Sequence, residues 1–283
     1  MLRRVMGRHD RELDVTLATI RRAGEEILRR YASFERIEDA PADISTAADR
    51  ASQELILEAL HEAFPGDGLC AEEASARFET EAAGAERFWV VDPIDGTRGF
   101  ARKNGEFSVM IALVVDGDAV LGAVHEPAAE RLTWAVAGEG CRVVRSGAGG
   151  SGEGERCRVS ATEGRPRVLA MSRSQGEEGE RQLLGALGAE RAIQTYSAGI
   201  KLAQVARGEA DLYLGDYLTL RDWDVAAGHV LVTEAGGRVT SVDGDPVRYD
   251  GSGRSLRGRG IVASNGGVHR AALEAIAAGR VTW

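Results

Sequence analysis

Residues 88–97 form the stretch Phe-Trp-Val-Val-Asp-Pro-Ile-Asp-Gly-Thr, in which an apolar run is followed by two carboxylates. The apolar part, Phe88–Val91, predicts a short buried strand. Because proline lacks the N–H that a central strand donates, we expect Pro93 to stop the strand. Asp92 and Asp95 then lie just past the strand end, where their side chains can point to one spot.

The residues that follow suit the binding of an anion. Gly96 allows the backbone to approach a ligand closely, and Thr97 offers a hydroxyl. If a helical turn starts here, its free N–H groups form an anion site. Hard oxygen ligands beside such a site are typical of Mg²⁺ and phosphate. The alternative is an ordinary turn with solvated aspartates, since Asp, Pro and Gly are also common turn residues.

The first half of the chain reads as two helices followed by strands. Leu13 to Tyr31 has helical periodicity, and Ser45 or Thr46 is a candidate N-cap for a second helix that Pro65 and the residues after it end. The later apolar runs predict strands, with a hairpin turn at 116–118: Phe107–Val115, Ala119–Val124 and Leu132–Val136.

The second half alternates between strand and helix. A Gly/Ser-rich stretch over 146–156 is the candidate boundary, so we predict an α+β domain over 1–155 and an α/β domain over 156–283. The predicted strands are Arg167–Met171, Ile193–Tyr196, Ala210–Leu214, Arg238–Val242 and Ile261–Ala263. The predicted helices are Gly179–Leu187, Gly199–Ala206, Trp223–Ala235 and Val268–Ala278.

Further carboxylates lie far from this stretch in sequence. Glu72 and Glu73 form an acidic pair about twenty residues upstream, which could also be a charged surface pair. Asp222 and Asp224 open a long apolar helix, and Asp49 lies near the start of the second helix; capping is the alternative for these three. Together they would supply the several carboxylates that a multi-metal hydrolase needs.

Composition excludes several partners. The chain has 283 residues, 43% of them hydrophobic, and a net charge of −9, which disfavours nucleic acid polymers and anionic membranes. We find no signal peptide and no run of 18 apolar residues, so we expect a cytoplasmic protein without a membrane segment. The three cysteines form no close pair and are expected to be buried or idle thiols.

Other catalytic motifs are missing from the sequence. There is no phosphate-binding Gly-x-x-x-x-Gly-Lys-Ser/Thr, no Gly-x-Ser-x-Gly, and no cysteine followed six positions later by arginine. The glycines at 147, 149 and 152 fall in the low-complexity stretch and indicate a linker. His125 and His229 lack zinc spacing and are expected to pack or to lie on the surface. A metal-activated water is therefore the simplest nucleophile.

Three separated motifs resemble the inositol monophosphatase superfamily. They are the residues 89–97, the upstream pair Glu72-Glu73, and Trp-Asp-Val-Ala-Ala-Gly over 223–228. The resemblance implies an α/β fold with a layered αβαβα sandwich, two or three Mg²⁺ ions, hydrolysis of a small phosphorylated metabolite, inhibition by lithium, and often a homodimer.

The resemblance also implies roles for individual residues. The metal ligands would be Glu72, Asp92, Asp95, Asp224 and the carbonyl of Ile94. The residues of the catalytic step would be Asp49 and Thr97, which orient the attacking water, together with Glu72. The substrate would be held by Asp95, Gly96, Thr97, Ser197 and Lys201.

Several segments resemble one branch, the bacterial 3′(2′),5′-bisphosphate nucleotidases that act on 3′-phosphoadenosine 5′-phosphate. These are residues 97–100, 103–109, 171–174 and 197–201. Lys201 would face a second phosphate, or else lie on a solvated helix face. Gly215 stands where the inositol branch has a glutamate, which weakens the inositol interpretation. Gln175 departs from the nucleotidase pattern, where histidine is frequent.

Alternatives remain open at this point. One is an inositol-1-monophosphatase or another sugar-phosphate phosphatase on the same scaffold. A haloacid-dehalogenase phosphatase would need Asp-x-Asp-Gly-Thr, whereas two residues separate Asp92 and Asp95 here. A non-catalytic magnesium-binding module would be expected to have lost a ligand carboxylate, and none is lost.

Overall fold

The computed structural model describes residues 8–41, 44–145, 154–215, 220–256, 258 and 260–281. Within them the chain forms seven α-helices and twelve β-strands. The helices are α1 (Asp10–Ser33), α2 (Ala47–Ala63), α3 (Thr97–Ala101), α4 (Gly176–Leu187), α5 (Ala198–Ala206), α6 (Asp222–Glu234) and α7 (His269–Ala277). The strands are β1 (Gly68–Ala71), β2 (Arg87–Asp95), β3 (Ser108–Val115), β4 (Asp118–Glu126), β5 (Arg131–Val136), β6 (Gly140–Arg145), β7 (Glu155–Arg156), β8 (Val168–Ser172), β9 (Arg191–Thr195), β10 (Leu212–Gly215), β11 (Arg238–Ser241) and β12 (Ile261–Ser264).

The strands form two sheets with helices on both sides of each. Seven strands pair in chain order from β1 to β7, and five pair in the order β11-β12-β10-β8-β9. Helices α1 and α2 cover the outer face of the larger sheet, α5 and α6 fill the space between the sheets, and α4 and α7 cover the smaller sheet. The predicted αβαβα sandwich is therefore confirmed. Its buried residues form three clusters: one beneath α1 and α2, one around α5 and α6 between the sheets, and one beneath α4 and α7.

Strand β2 is longer than predicted and includes Pro93. Its neighbour β1 pairs with it only as far as Ala71 opposite Val91, so one edge of β2 is free beyond that point. On the other side the register with β3 shifts between Asp92 and Asp95, as in a β-bulge. The expectation that Pro93 ends the strand was wrong, because proline is tolerated where its missing N–H has no partner to lose.

The hairpin between β3 and β4 was predicted correctly. Asp116 and Gly117 both have positive φ, 51° and 81°, and Val115 pairs with Asp118 across the turn. A two-residue loop with two positive φ angles matches the right-handed twist of the strands, which is why Asp-Gly is favoured there.

The predicted boundary at residue 155 falls inside β7, whose two residues pair with β6. Residues 146–153 of the Gly/Ser-rich stretch, including the glycines at 147, 149 and 152, lie outside the described residues. The division into two domains therefore stays a prediction. Among the described helices, none has the length and apolarity that crossing a bilayer requires.

Candidate metal centre and active site

Three carboxylates from two elements meet at one point. Asp92 and Asp95 lie at the end of β2, and Asp224 lies in the first turn of α6, which packs against β2. One oxygen from each lies within 4.8 Å of the others. The sequence prediction that Asp92 and Asp95 share a site with Asp224 is consistent with this geometry.

Glu72 adds a fourth carboxylate to the cluster. It follows β1, its N–H donates to the carbonyl of Val91 at 3.3 Å, and its side chain interacts with Asp92. Although Glu72 is open to solvent on one side, desolvation by the surrounding protein and the charges of Asp224 and Asp49 raise its pKa to about 8. The ligands predicted from distant parts of the sequence thus interact in one place.

The electrostatics of this cluster fit a bound cation. Desolvation and the charge of Asp95 raise the pKa of Asp224 to about 7, and burial with the charge of Glu72 raises that of Asp92 well above its usual range. Oxygen Oδ1 of Asp92 is buried without a hydrogen-bond partner among the described residues. Clustered like charges and an orphaned hard oxygen are what a divalent metal would neutralise.

Asp49 and Thr97 contact each other beside the carboxylates. The Thr97 hydroxyl lies 2.9 Å from Oδ1 of Asp49 and 2.8 Å from the carbonyl of Ile94. Asp49 also accepts hydrogen bonds from the N–H and hydroxyl of Thr46, the N-cap of α2, at 2.8 and 2.6 Å. Burial raises the pKa of Asp49 despite these donors, so its carboxylate is poised to accept a proton more readily than a solvated one.

Asp95 is held by the start of α5. Its Oδ2 accepts from the N–H of Gly199 at 2.6 Å and from the hydroxyl of Ser197, and its Oδ1 accepts from Ala198 N–H at 3.1 Å. Ser197 also caps α5 by accepting from Ile200 N–H at 2.9 Å. An aspartate at a helix N-terminus is stabilised by the helix dipole, so α5 fixes the Asp95 carboxylate.

The turn after β2 depends on a glycine. Gly96 has φ of 84°, in the left-handed region, and a Cβ there would lie 2.7 Å from the carbonyl oxygen of Glu106. A side chain at this position would therefore be both strained and obstructed. The short helix α3 begins directly after it, which is the helical turn that the sequence led us to expect.

Lys201 is buried rather than solvated. It is 2% exposed, and Nζ donates to the carbonyls of Thr195 and Tyr196 at 3.4 and 3.3 Å. Burial lowers its pKa to about 8, while the charges of Asp95 and Asp224 act in the opposite direction. The interpretation of Lys201 as part of a solvated helix face was wrong, because every residue of α5 is buried.

Two arginines connect the motif to the second half of the chain. Arg98 donates to the hydroxyl of Ser174 at 3.3 Å and lies over the ring of Tyr196, with 5.4 Å from Cζ to the ring centroid. Arg173 forms a bidentate ion pair with Glu106. Arg98 has no carboxylate partner among the described residues, so it is the less neutralised of the two cations.

The two histidines that we expected to be structural are packed inside the protein. His125 Nδ1 contacts the carbonyl of Ile20 at 3.2 Å, and burial lowers its pKa. His229 Nδ1 lies 3.0 Å from the hydroxyl of Tyr249, and burial lowers its pKa to about 4. Asp222 is also structural, since its carboxylate accepts a hydrogen bond from the Ser255 hydroxyl at 2.7 Å and so contacts the loop after β11.

The sequence analysis assigned no role to some residues near the site. Ser108 lies in the apolar run of β3, fully buried, with its hydroxyl 3.3 Å from Asp95 and 3.0 Å from Ser197. Ser52 and Gln53 on α2 contact the backbone beside the carboxylates. A buried serine in a strand looks like any small core residue, so no spacing rule could have identified it.

Known proteins resemble this chain over nearly its full length. The sequence profile of the inositol monophosphatase family matches residues 9–282. The chain is 32% identical over 235 residues to the 3′(2′),5′-bisphosphate nucleotidase CysQ of Salmonella typhimurium, covering 81% of this chain and 90% of that protein. It is also 32% identical over 277 residues to a histidinol-phosphatase of Mycobacterium tuberculosis, covering 96% and 99%. The solved Thermotoga maritima IMPase superposes with a TM-score of 0.76 at 26% identity, covering 94% of this chain and 97% of that one.

Proposed function

Because the chain belongs to the inositol monophosphatase family, whose members hydrolyse phosphate monoesters, we propose that it is a magnesium-dependent phosphatase acting on a 3′(2′),5′-bisphosphate nucleotide. The observation that carries the metal-dependent reaction is the carboxylate cluster, in which Asp92 Oδ1 is buried without a partner. When ionised, these carboxylates carry negative charge that the nearby Lys201 only partly offsets, and a divalent cation would balance the rest.

The residues that would hold Mg²⁺ are Glu72, Asp92, Asp95, Asp224 and the Ile94 carbonyl. When bound, the metal would supply positive charge for the phosphoryl oxygens and make a water more acidic. The raised pKa values of Glu72 and Asp224 support the assignment.

The chain's own groups would orient the attacking water. The Thr97 hydroxyl can donate one proton, to Asp49 or to the Ile94 carbonyl, and can accept one from a water. Asp49, whose pKa is raised by burial, would receive the proton through Thr97. The backbone around Gly96 and Thr97 and the carboxylate of Asp95 would position the phosphate against this pair, and Glu72 would take part in the catalytic step.

The choice of a bisphosphate nucleotide rests on the segments at 97–109 and 197–201 and on the likeness to CysQ. Two cations beside the cluster, Arg98 and Lys201, have no ion pair among the described residues, and both contact Tyr196. Arg98, which has no carboxylate partner in the described part of the chain, is suited to a second phosphate, and the buried Lys201 would add positive charge nearby. Ser197, which fixes Asp95, would line the same side of the substrate.

The substrate is tested by phosphate release from three compounds side by side, with magnesium varied. These are 3′-phosphoadenosine 5′-phosphate, inositol 1-phosphate and histidinol phosphate; the last is included because the histidinol-phosphatase relative matches 96% of this chain. We expect the highest kcat/KM with the bisphosphate nucleotide. A preference for either other compound would reject the nucleotide assignment, and turnover without added metal would reject the metal-dependent mechanism. Lithium is expected to inhibit.

The role of the two cations has its own test. Lys201→Met and Arg98→Met should each lower kcat/KM for 3′-phosphoadenosine 5′-phosphate by about tenfold, as expected for one lost charge-assisted hydrogen bond. The kcat/KM for adenosine 3′-monophosphate, which has no second phosphate, should change by less than about twofold. Arg167→Met, which removes an exposed arginine paired with Glu190, is the matched control. Equal losses on both nucleotides would contradict a role in binding the second phosphate. The cytoplasmic location and the homodimer stay predictions.

A further inference from the structure

One face of α2 carries three buried polar side chains. Asp49, Ser52 and Gln53 are spaced i, i+3 and i+4, so they lie on the same side of the helix, and each is at most 1% exposed. Each contacts a different segment of the site: Asp49 contacts Thr97, Ser52 donates to the carbonyl of Pro93 at 3.0 Å, and Gln53 contacts the backbone of Glu73.

Gln53 binds the backbone of Glu73 with both atoms of its amide. Nε2 donates to the Glu73 carbonyl at 2.6 Å, and Oε1 accepts from the Glu73 N–H at 2.9 Å. Only one orientation of the amide satisfies both bonds, so the side chain is fixed. Gln53 therefore replaces, for one residue, the pair of hydrogen bonds that a neighbouring strand would provide.

This support lies where the sheet itself stops supporting the chain. The last pair between β1 and β2 is Ala71 with Val91, and the next residue, Glu72, has one backbone hydrogen bond, to the Val91 carbonyl at 3.3 Å. The four clustered carboxylates repel one another, which favours movement of Glu72 away from the others. A bidentate contact on the adjacent residue opposes that movement.

We propose that Gln53 is a positioning residue that holds the Glu72 carboxylate beside Asp92 through the backbone of Glu73. This inference rests on the proposed function, because it assumes that these carboxylates bind a divalent metal. Ser52 acts in the same way on the bulge of β2, since its hydroxyl binds the Pro93 carbonyl between the two aspartates of that strand. Helix α2 thereby sets the spacing of ligands that belong to other elements.

The test compares two buried glutamines changed in the same way. Gln53→Met removes both hydrogen bonds to Glu73 and preserves side-chain length. Gln204→Met is the matched control, because Gln204 is 7% exposed on α5 and its Oε1 has no hydrogen-bond partner among the described residues. The metal-free full-length proteins are titrated with Mg²⁺ by calorimetry, and thermal midpoints and steady-state kinetics are measured in parallel.

We expect the dissociation constant for Mg²⁺ to rise about 10- to 100-fold in Gln53→Met, the range typical of lost outer-shell contacts, and by less than about twofold in Gln204→Met. The substrate KM of Gln53→Met at saturating metal should stay close to that of the wild type. An unchanged dissociation constant for Mg²⁺ in folded Gln53→Met would overturn the inference. If the wild type itself bound no Mg²⁺, the proposed function would be rejected instead.

A second variant keeps the inference testable if Gln53→Met does not fold. Gln53→Asn keeps an uncharged amide but shortens the side chain by one methylene, so it cannot reach both groups of the Glu73 backbone at once. Its dissociation constant for Mg²⁺ should lie between those of the wild type and Gln53→Met. A value equal to that of the wild type would overturn the positioning role.

Discussion

The protein contains two clusters of charged residues that differ in charge balance. In the first, Glu72, Asp92, Asp95 and Asp224 gather without an ion pair to any of them among the described residues. In the second, which we call the Arg207 network, two arginines and two glutamates alternate. Its members are Glu126, Arg131, Arg207 and Glu209, with Arg207 binding Glu126 at 2.9 Å and Glu209 at 2.8 Å.

The pKa values separate the two clusters. Burial acts to lower the pKa of Arg207, yet the charges of Glu126 and Glu209 outweigh it and raise it. Burial likewise acts to raise the pKa of Glu209, but Arg207 lowers it. For Asp92 in the carboxylate cluster, by contrast, the charges of Glu72, Asp95 and Asp224 add to the effect of burial and raise the pKa further. A balanced buried network is what a structural role needs, whereas an unbalanced one indicates a cation-binding site.

The largest effect is expected from breaking the unbalanced cluster. Asp92→Asn should reduce turnover by about a thousandfold or more, as for members of a catalytic unit that acts together. The metal-free variant should nevertheless melt at a higher temperature than the metal-free wild type, because one of four repelling charges is gone. Kinetics and thermal unfolding test both parts, with the exposed Asp118→Asn as control. Retained turnover would reject the metal assignment.

The Arg207 network should respond in the opposite way. Arg207→Met leaves Glu209 without its closest cation and Glu126 with Arg131 alone, so the free energy of unfolding should fall by about 3 kcal/mol. Turnover per folded molecule should change by less than about twofold. Urea unfolding and kinetics provide the two measurements. A large loss of kcat with unchanged stability would mean that this network takes part in the reaction.

The pH dependence of the metal-free protein sharpens the comparison further. Glu72 and Asp224 have pKa values of about 8 and about 7 in the folded protein, above the value of about 4 in an unfolded chain. Groups with raised pKa values favour the folded state at low pH, and that contribution is lost as the pH rises through about 7 to 8. We expect the melting temperature in chelator to fall between pH 5 and pH 9.

Added Mg²⁺ should remove most of this slope, because bound metal favours the ionised carboxylates. Asp92→Asn should show a shallower slope in chelator than the wild type. Thermal melts over this pH range, with and without Mg²⁺, measure the effect. A slope that is the same with and without the metal would place its origin outside the carboxylate cluster.

The smallest effect concerns an ionisable group that is buried and uncharged. His269 is 2% exposed, its ring nitrogens contact the hydroxyls of Thr240 and Ser264 at 3.0 and 2.8 Å, and burial lowers its pKa to about 4. Because an unfolded histidine titrates near 6.5, stability should be lost as the pH falls from about 6.5 through about 4. The expected loss is about 1 kcal/mol between pH 7.5 and pH 5.5.

His269→Gln should remove this part of the pH dependence while leaving the melting behaviour in chelator between pH 7 and pH 9 unchanged. Urea unfolding at pH 7.5 and at pH 5.5 measures how much stability the variant and the wild type each lose. An identical loss in both proteins would mean that other groups cause the acid sensitivity.

Much of the fold could be predicted because local signals agreed with the final packing. The N-cap at Thr46, the Asp-Gly turn at 116–117 and the strand-helix alternation after residue 167 each follow from short-range rules. Strand β1 was missed because its four residues include Gly68 and Cys70, which give no clear pattern. Strand β2 was predicted too short, since the place where β1 stops pairing depends on a distant segment.

The residues of the site could be predicted from the sequence only where they belong to a recognisable motif. Asp92, Asp95 and Asp224 could be identified from the resemblance, and the geometry brings them together. Lys201 was harder, because whether a lysine in an apolar helix is buried depends on how many sides of that helix are covered. The contact of Gln53 with Glu73 joins residues twenty positions apart through a backbone, which leaves no pattern in the sequence.

Of the four clustered carboxylates, Asp224 is the last to be synthesised. Asp224 follows Asp95 by 129 residues, which corresponds to roughly ten seconds of translation at bacterial speeds. By the end of that interval the nascent chain has all strands of the larger sheet and three of the four carboxylates but still lacks α6. A product that ends before Asp224, by stalling or proteolysis, would therefore lack one carboxylate of the candidate metal centre. The larger sheet alone therefore cannot complete the cluster, because one of its four carboxylates belongs to α6.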